Sequence, residues 1–360
     1  MGRRIRSFNH PTTYPPPIRS QLKDTTYLWV PSLIIERGLR LIGEYCSTRG
    51  GVACIGRADQ LPTMGRPIPV ILNPAAHSTK AARRADMLLA LPNKPDLHFT
   101  TGPGSAAEIA ERLASEGHEI VVAAGGDGTV NEVVQGLSRV NATRPDVGTH
   151  TALGVLPVGT MNVFSIELGL PGRDLAAGWA LITSGKPPRE VDLWLANDQY
   201  FVQLAGVGMD AEIIQETPWE MKKKLGPLSY AISAVRVMTR KPPVLCVDIP
   251  GKPSMLGSVV LIGSGRHYGG PVPVFKEARN DDGLLDILIF RGFGGWEAAQ
   301  FLRAVFVDGY GPSLDLDYFQ ASEFTVTSSA PSPFELDGEL AAGTTPVVFR
   351  AAPFRMRVVC

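Results

Sequence analysis

The strongest constraint in this sequence is five residues long. Gly125-Gly126-Asp127-Gly128-Thr129 follows the apolar run Ile120–Ala124. It precedes Val130, Val133, Val134 and Leu137, whose i, i+3, i+4, i+7 spacing marks one face of a helix. A strand apolar throughout is buried on both faces, as in a parallel sheet covered by helices. The helix start presents unpaired amides and a partial positive charge, which suits an anion. Three glycines let backbone approach a phosphate without Cβ interference and permit positive φ. The turn is not a Walker A loop, since no GxxxxGK followed by Ser or Thr occurs, and it is not the GxGxxG dinucleotide pattern. The competing reading is a tight strand-to-helix turn with an ordinary Thr cap and no ligand.

The surrounding pattern repeats this unit. Pro69–Leu72 and Leu97–Thr100 predict two further strands, with helices over Ala81–Ala90 and Ser105–Ser115. Strands and helices joined by short links argue a parallel sheet wrapped by helices. After about residue 190 strands dominate: 191–195 and 200–204 around an Asn197-Asp198 turn, then 244–249, 257–263, 285–290, 322–327 and 346–350. Only two helices interrupt them, near 221–240 and 295–307, which predicts an antiparallel sandwich or barrel. The expected fold is therefore α/β with two domains and a cleft between them.

Composition narrows the classes. The chain has 35 basic and 35 acidic side chains in 360 residues, against a protein built to coat nucleic acid. Cys46, Cys54, Cys246 and Cys360 form no close pair. Neither a disulfide framework nor a Cys-rich zinc site is expected, and a reducing cytoplasm fits. No run of about 18 apolar residues predicts a spanning helix. The basic start runs into Pro15, Pro16 and Pro17 without an apolar core, so it does not read as a secretory signal. Residues 1–66 carry ten basic and four acidic side chains, net +6, and the rest of the chain carries −6. Within that basic stretch Tyr27–Cys46 reads as an amphipathic helix, to be packed on the main body or laid on an anionic membrane. The six histidines show no metal spacing, and neither HExxH nor GxSxG occurs.

Five motifs, in order, carry a resemblance. They are the turn at 125–129 with Asn131-Glu132 after it, Leu156-Pro157-Val158-Gly159-Thr160-Met161-Asn162, Gly206-Val207-Gly208-Met209-Asp210-Ala211, Asp281-Asp282-Gly283-Leu284-Leu285-Asp286 and Asp337-Gly338-Glu339. From about residue 68 to 358 the chain resembles the diacylglycerol kinase catalytic family of bacterial lipid kinases, relatives of sphingosine kinases. The resemblance implies an ATP-dependent kinase of phospholipid biosynthesis acting on a lipid hydroxyl. It also implies a parallel α/β nucleotide-binding domain plus an antiparallel β-sandwich-like domain. The domains expected are an N-terminal extension and linker at 1–66, the nucleotide-binding domain at 67–190, a β-rich lipid-substrate domain at 191–345, and a C-terminal strand segment at 346–360 returning to the first domain. By the resemblance, Asn73, Thr101, Gly125, Gly126, Asp127, Gly128, Thr129, Asn131 and Thr160 would contact ATP. Asp127 would lie near the phosphates and a catalytic Mg²⁺. A structural Mg²⁺ would be held by the carbonyls of Arg279 and Leu284 and the carboxylate of Asp282, an all-oxygen set suited to that ion. Two departures stand out: His77 replaces the glycine of the NPxSG motif, and Val163 replaces the aspartate after Asn162.

Phosphoryl transfer needs positioning, charge neutralisation and a destination for the hydroxyl proton. Asp337 and Glu339 are the candidates for the last, as general bases. If the segment is extended, residues i and i+2 share a face and both carboxylates meet the cleft. If it is a hairpin, Asp-Gly is its turn. Arg266 would neutralise phosphate or form a surface ion pair. Lys222, Lys223 and Lys224 beside Trp219 and Tyr230 would touch anionic headgroups or be a solvated helix face. The implied partners are a lipid substrate and, peripherally, the inner face of the membrane; no nucleic acid is expected, and a homodimer is left open. The rivals are an NAD kinase-like phosphotransferase, which shares the glycine turn, and a catalytically inactive nucleotide- or lipid-binding homologue.

Overall fold

The computed structural model describes residues 66–74, 85–217, 242–292 and 315–360, together with 233, 236, 237, 296, 297 and 300. All belong to one compact unit, Thr63–Cys360. The proline-rich start, the helix expected over Tyr27–Cys46, the linker at 57–66 apart from Arg66, His77, and Lys222–Lys224 lie outside the described residues, as does most of the helices expected at 221–240 and 295–307.

The strands are β1 (Pro69–Leu72), β2 (Asp96–Phe99), β3 (Ile120–Gly125), β4 (Ala152–Pro157), β5 (Arg189–Val191), β6 (Trp194–Ala196), β7 (Gln199–Phe201), β8 (Leu204–Gly208) and β9 (Leu245–Asp248). They continue with β10 (Met255–Gly257), β11 (Val259–Gly263), β12 (Leu285–Phe290), β13 (Leu316–Ala321), β14 (Glu323–Ser328), β15 (Phe334–Leu336), β16 (Glu339–Leu340), β17 (Val347–Ala351) and β18 (Met356–Val358). The fully described helices are α1 (Ser105–Ser115), α2 (Asp127–Asn141), α3 (Val163–Glu167), α4 (Leu175–Ile182) and α5 (Met209–Gln215).

The first sheet has the order β2-β1-β3-β4-β18-β5, parallel from β2 through β18, with β5 antiparallel at the edge. Its apolar strands are covered on both sides. Ile71, Val121, Ala123 and Leu153 pack against α1 and α2. Val70, Leu72, Val122 and Leu156 pack against Leu88 and the Trp179 face of α4. Helices α1 and α2 approach closely at Gly136, where a Cβ would lie 2.2 Å from the Ala107 carbonyl oxygen.

Two antiparallel six-stranded sheets follow, β10-β9-β14-β17-β6-β7 and β13-β12-β11-β8-β15-β16. They face each other across a core that includes Trp194, Phe324 and Phe349 from one and Val207, Ile287 and Phe334 from the other. This is the α/β plus β-sandwich plan that the sequence predicts.

Several expected strands are broken where the chain changes sheets. The strand at 191–195 divides: β5 ends at Val191 in the parallel sheet, and β6 starts at Trp194 in the sandwich. The strand at 200–204 is likewise two, β7 and β8, separated by a bend at Val202-Gln203. Ser258 separates β10 from β11 within the expected 257–263. Strands β4, β13, β15 and β16 were not foreseen; the last three are each short or only half-buried and lack clear alternation.

Candidate active site

Asn73, Thr101, the 125–131 turn and Thr160 follow β1, β2, β3 and β4 at the carboxyl ends of the parallel strands, the edge where open α/β sheets bind ligands. The helix begins earlier than its apolar face suggested: α2 starts at Asp127 with Gly126 as its N-cap and no capping side chain. That leaves the first helical amides to an external acceptor. Two details of the glycine argument change. None of Gly125, Gly126 and Gly128 has positive φ. Close packing explains them instead. A Cβ on Gly125 would lie 2.3 Å from Thr129 Cβ, and one on Gly159 would lie 2.4 Å from Gly126 Cα. The two glycine loops therefore touch backbone to backbone.

Other contacts shape the edge. Asn162 closes the second loop, its Oδ1 accepting from Gly159 N–H at 3.0 Å and its Nδ2 donating to Gly159 O at 3.1 Å. Glu132 accepts from the N–H groups of Gly104 and Ala106 at 2.9 and 3.0 Å, so it fixes the loop holding Thr101. Asn73 Nδ2 lies 3.4 Å from Thr129 Oγ1. Arg266 is exposed and donates to the Lys276 carbonyl.

Asp127 is half-buried, and burial, with Asp337 nearby, raises its pKa from 3.8 to about 6. The amides of Phe164, Val163 and Asn162 oppose that rise. Val163, in place of an aspartate, buries its side chain while its amide faces Asp127.

The acidic pair reaches this edge from the sandwich. Residues 337 and 338, both at positive φ, form a two-residue turn between β15 and β16, with Leu336 paired to Glu339. The shared-face geometry of an extended segment is thus replaced by a hairpin, and the two carboxylates separate. Asp337 is buried. Its Oδ1 accepts from Gln203 and Leu204 N–H at 2.9 and 3.1 Å, and its Oδ2 from Asn131 Nδ2 and Val202 N–H at 2.9 and 3.2 Å. Four donors fill the acceptor sites of a carboxylate. Burial still sets the direction, raising its pKa. Glu339 is exposed and stands over the glycine turn, where a Cβ on Gly128 would lie 2.8 Å from its Oε1. Helix α2 is tied to the sandwich a second time by Gln135, which donates to Tyr200 O and accepts from Tyr200 N–H.

Arg279, Asp282 and Leu284 lie apart, in the loop before β12. That loop is held by Gly283 N–H on Asp192 Oδ2 at 2.8 Å and by Arg355 Nη2 on the Asp281 carbonyl at 3.1 Å.

Comparison with known proteins follows these divisions. Residues 67–195 match the family model described as diacylglycerol kinase catalytic domain. Residues 204–360 match the one described as YegS C-terminal NAD kinase beta sandwich-like domain. The chain is 31% identical over 250 residues to a protein named diacylglycerol kinase from Bacillus subtilis (strain 168), covering 67% of this chain and 78% of that one. It belongs to the diacylglycerol kinase catalytic family. It is thereby a lipid kinase, and ATP is the donor the kinase family uses. A protein named probable lipid kinase YegS-like from Klebsiella pneumoniae (strain 342) is 33% identical over 258 residues, covering 69% of this chain and 82% of the other. The crystal structure of a diacylglycerol kinase from Bacillus anthracis str. Sterne shares the fold, with TM-score 0.65 and 23% identity over 81% of this chain and 96% of that one.

The loop before β12 offers a hard cation oxygen donors. Asp282 is exposed, with Oδ1 accepting from Leu284 N–H at 3.0 Å. Asp192 beside it has a pKa raised first by burial and further by Asp282 and Asp281, against the Gly283 amide and Arg355, which pairs with it at 3.0 Å; Arg279 and Arg189 pair with Asp281 at 3.1 and 3.7 Å. Among the described residues no three His, Cys, Asp or Glu side chains are grouped to hold a metal. An ion here would therefore rely on one carboxylate and backbone carbonyls.

Proposed function

We propose that this lipid kinase transfers the γ-phosphoryl group of ATP to the hydroxyl of diacylglycerol or a related lipid, with Glu339 as general base. One observation carries the reading: the Asp337–Glu339 turn of the sandwich lies directly on the phosphate turn of the parallel sheet, joined by the 2.9 Å bond from Asn131 to Asp337. The uncapped start of α2 and the 159–160 loop receive the donor's phosphates. Asp337, with its lone pairs committed, holds Asn131 and the 202–204 bend in place. Glu339, exposed over Gly128, takes the proton from the lipid hydroxyl. Mg²⁺ at the phosphates would supply charge neutralisation, with Asp127 as the nearest acid. A second Mg²⁺, held by Asp282 and the carbonyls of Arg279 and Leu284, would order the loop before β12.

No helix among the described residues is long and apolar enough to cross a membrane. The substrate is reached by peripheral contact, for which pelleting with anionic vesicles at low salt is the check. The function itself is tested with labelled ATP over a panel of diacylglycerol, phosphatidylglycerol, ceramide and long-chain bases, with NAD⁺ alongside. A labelled lipid supports the reading; labelled NADP alone, or no product from any acceptor, overturns it.

A further inference from the structure

A second cluster of ionisable side chains lies beneath the Asp337–Gly338 turn. The Tyr268 hydroxyl stands 2.6 Å from Asp210 Oδ2 and 2.9 Å from Glu335 Oε1. Glu335 is fully buried, and its Oε2 accepts the N–H of Gly338 at 2.8 Å. Gly206, paired with Glu335 across β8 and β15, makes the room. A Cβ there would lie 2.4 Å from Asp210 Oδ2 and 2.7 Å from the Tyr268 hydroxyl.

A phenol has one proton to donate. It satisfies one carboxylate, and the second oxygen must then bring a proton of its own. The 2.6 Å contact has the length of an O–H donor on an ionised acid, which assigns the tyrosine proton to Asp210. Glu335 is then the neutral acid. It donates from Oε1 to the Tyr268 oxygen and accepts at Oε2 from Gly338. Burial raises both carboxyls, and Glu335, with Asp210 beside it, well above its usual range.

The neighbouring residue points to the other domain. His267 Nδ1 lies 2.6 Å, and its N–H 3.1 Å, from Glu167 Oε2 at the end of α3. Gln203 Nε2 donates to the His267 carbonyl at 3.1 Å. Two successive residues of one loop thus grip the α3 side and the underside of the acidic turn.

We propose that Tyr268 is a positioning residue which, through a neutral Glu335 and the Gly338 amide, sets the Asp337–Gly338 turn and so aims Glu339 at the phosphate turn. The inference deepens the kinase reading above and rests on it. Tyr268→Phe is expected to lower kcat about tenfold, the scale of one lost buried hydrogen bond, with KM for ATP unchanged. Glu335→Gln keeps one donor and one acceptor in the same places, and kcat is expected to stay within about twofold of wild type. Glu335→Leu has neither and is expected to fall with Tyr268→Phe. Hydrogen exchange over residues 334–340 reads the turn without turnover. Faster exchange is expected in Tyr268→Phe and Glu335→Leu but not in Glu335→Gln. If Tyr268→Phe does not fold, the glutamine and leucine variants decide by themselves. An active wild type with unchanged kcat and exchange in Tyr268→Phe and Glu335→Leu overturns the inference, as does a Glu335→Gln variant as impaired as Glu335→Leu. Should the wild type phosphorylate no lipid while exchange follows the expected order, the kinase reading falls and the grip on the turn stands.

Discussion

Removing the charge at Asp127 tests the electrostatics of the phosphate turn without any substrate. The carboxyl has an ordinary pKa of 3.8 and a folded value of about 6, raised first by burial and then by Asp337. Such a group binds its proton more tightly in the folded chain than in the unfolded one. Its contribution is therefore most favourable in acid and is lost as the pH climbs from 3.8 through about 6. The gap between the two values amounts to about 3 kcal/mol of destabilisation at pH 8 and about 0.5 kcal/mol at pH 4. Water reaching the half-buried carboxyl makes these upper figures. Asp127→Asn cannot ionise, and its own hydrogen bonds contribute about equally at both pH values. The stability of the variant relative to wild type is thus expected to improve by about 2 kcal/mol between pH 4 and pH 8. Urea unfolding of nucleotide-free and Mg²⁺-free protein measures this difference. A difference that is flat, or that shrinks toward pH 8, refutes the assignment of a desolvated carboxyl at the turn. By the proposed mechanism, turnover in the same variant is expected to be lost at every pH, since an amide cannot supply the carboxylate charge beside the donor's phosphates.

The acidic pair separates by assay. Asp337→Asn leaves two of four buried donors without an acceptor and is expected to cost about 2 kcal/mol of stability. Glu339→Gln, at an exposed site, is expected to change stability by less than about 0.5 kcal/mol while lowering kcat about 10²–10⁴-fold. Unchanged kcat in Glu339→Gln removes it as the base. Gly136→Ala gains about 1 kcal/mol of helix propensity but presses a methyl into α1. It is expected to lower the melting temperature, and a rise would show that the helices are not seated this closely. Mg²⁺ is expected to raise the melting temperature of wild type but not of Asp282→Asn; equal rises in both would place the ion elsewhere.

What the sequence made legible was local. The buried strand, the glycine turn and the helix after it all lie within Ile120–Leu137, and their order alone implied the parallel sheet. The Asp337-Gly338 pair likewise carried its turn preference in its own residues. The burial of Asp337 was not legible. It depends on Val202, Gln203 and Leu204, more than 130 positions away, whose amides converge on one carboxylate because the chain bends between β7 and β8. The same bend hid the break in the strand expected at 200–204, since the single polar residue Gln203 between Val202 and Leu204 reads as ordinary strand alternation. Tyr268, Asp210 and Glu335 left no pattern either, being 58 and 67 positions apart along the chain. A signal for them did exist in retrospect: an acid at position 335 inside an otherwise apolar strand has no stable place in a core without a donor opposite it. The direction of the requirement is what generalises here. Each buried acid among the described residues takes donors from other segments, as Asp192, Asp286, Glu335 and Asp337 do, so these acids couple the sandwich to itself or to the parallel sheet. The residues proposed to perform the chemistry are held where those couplings cross.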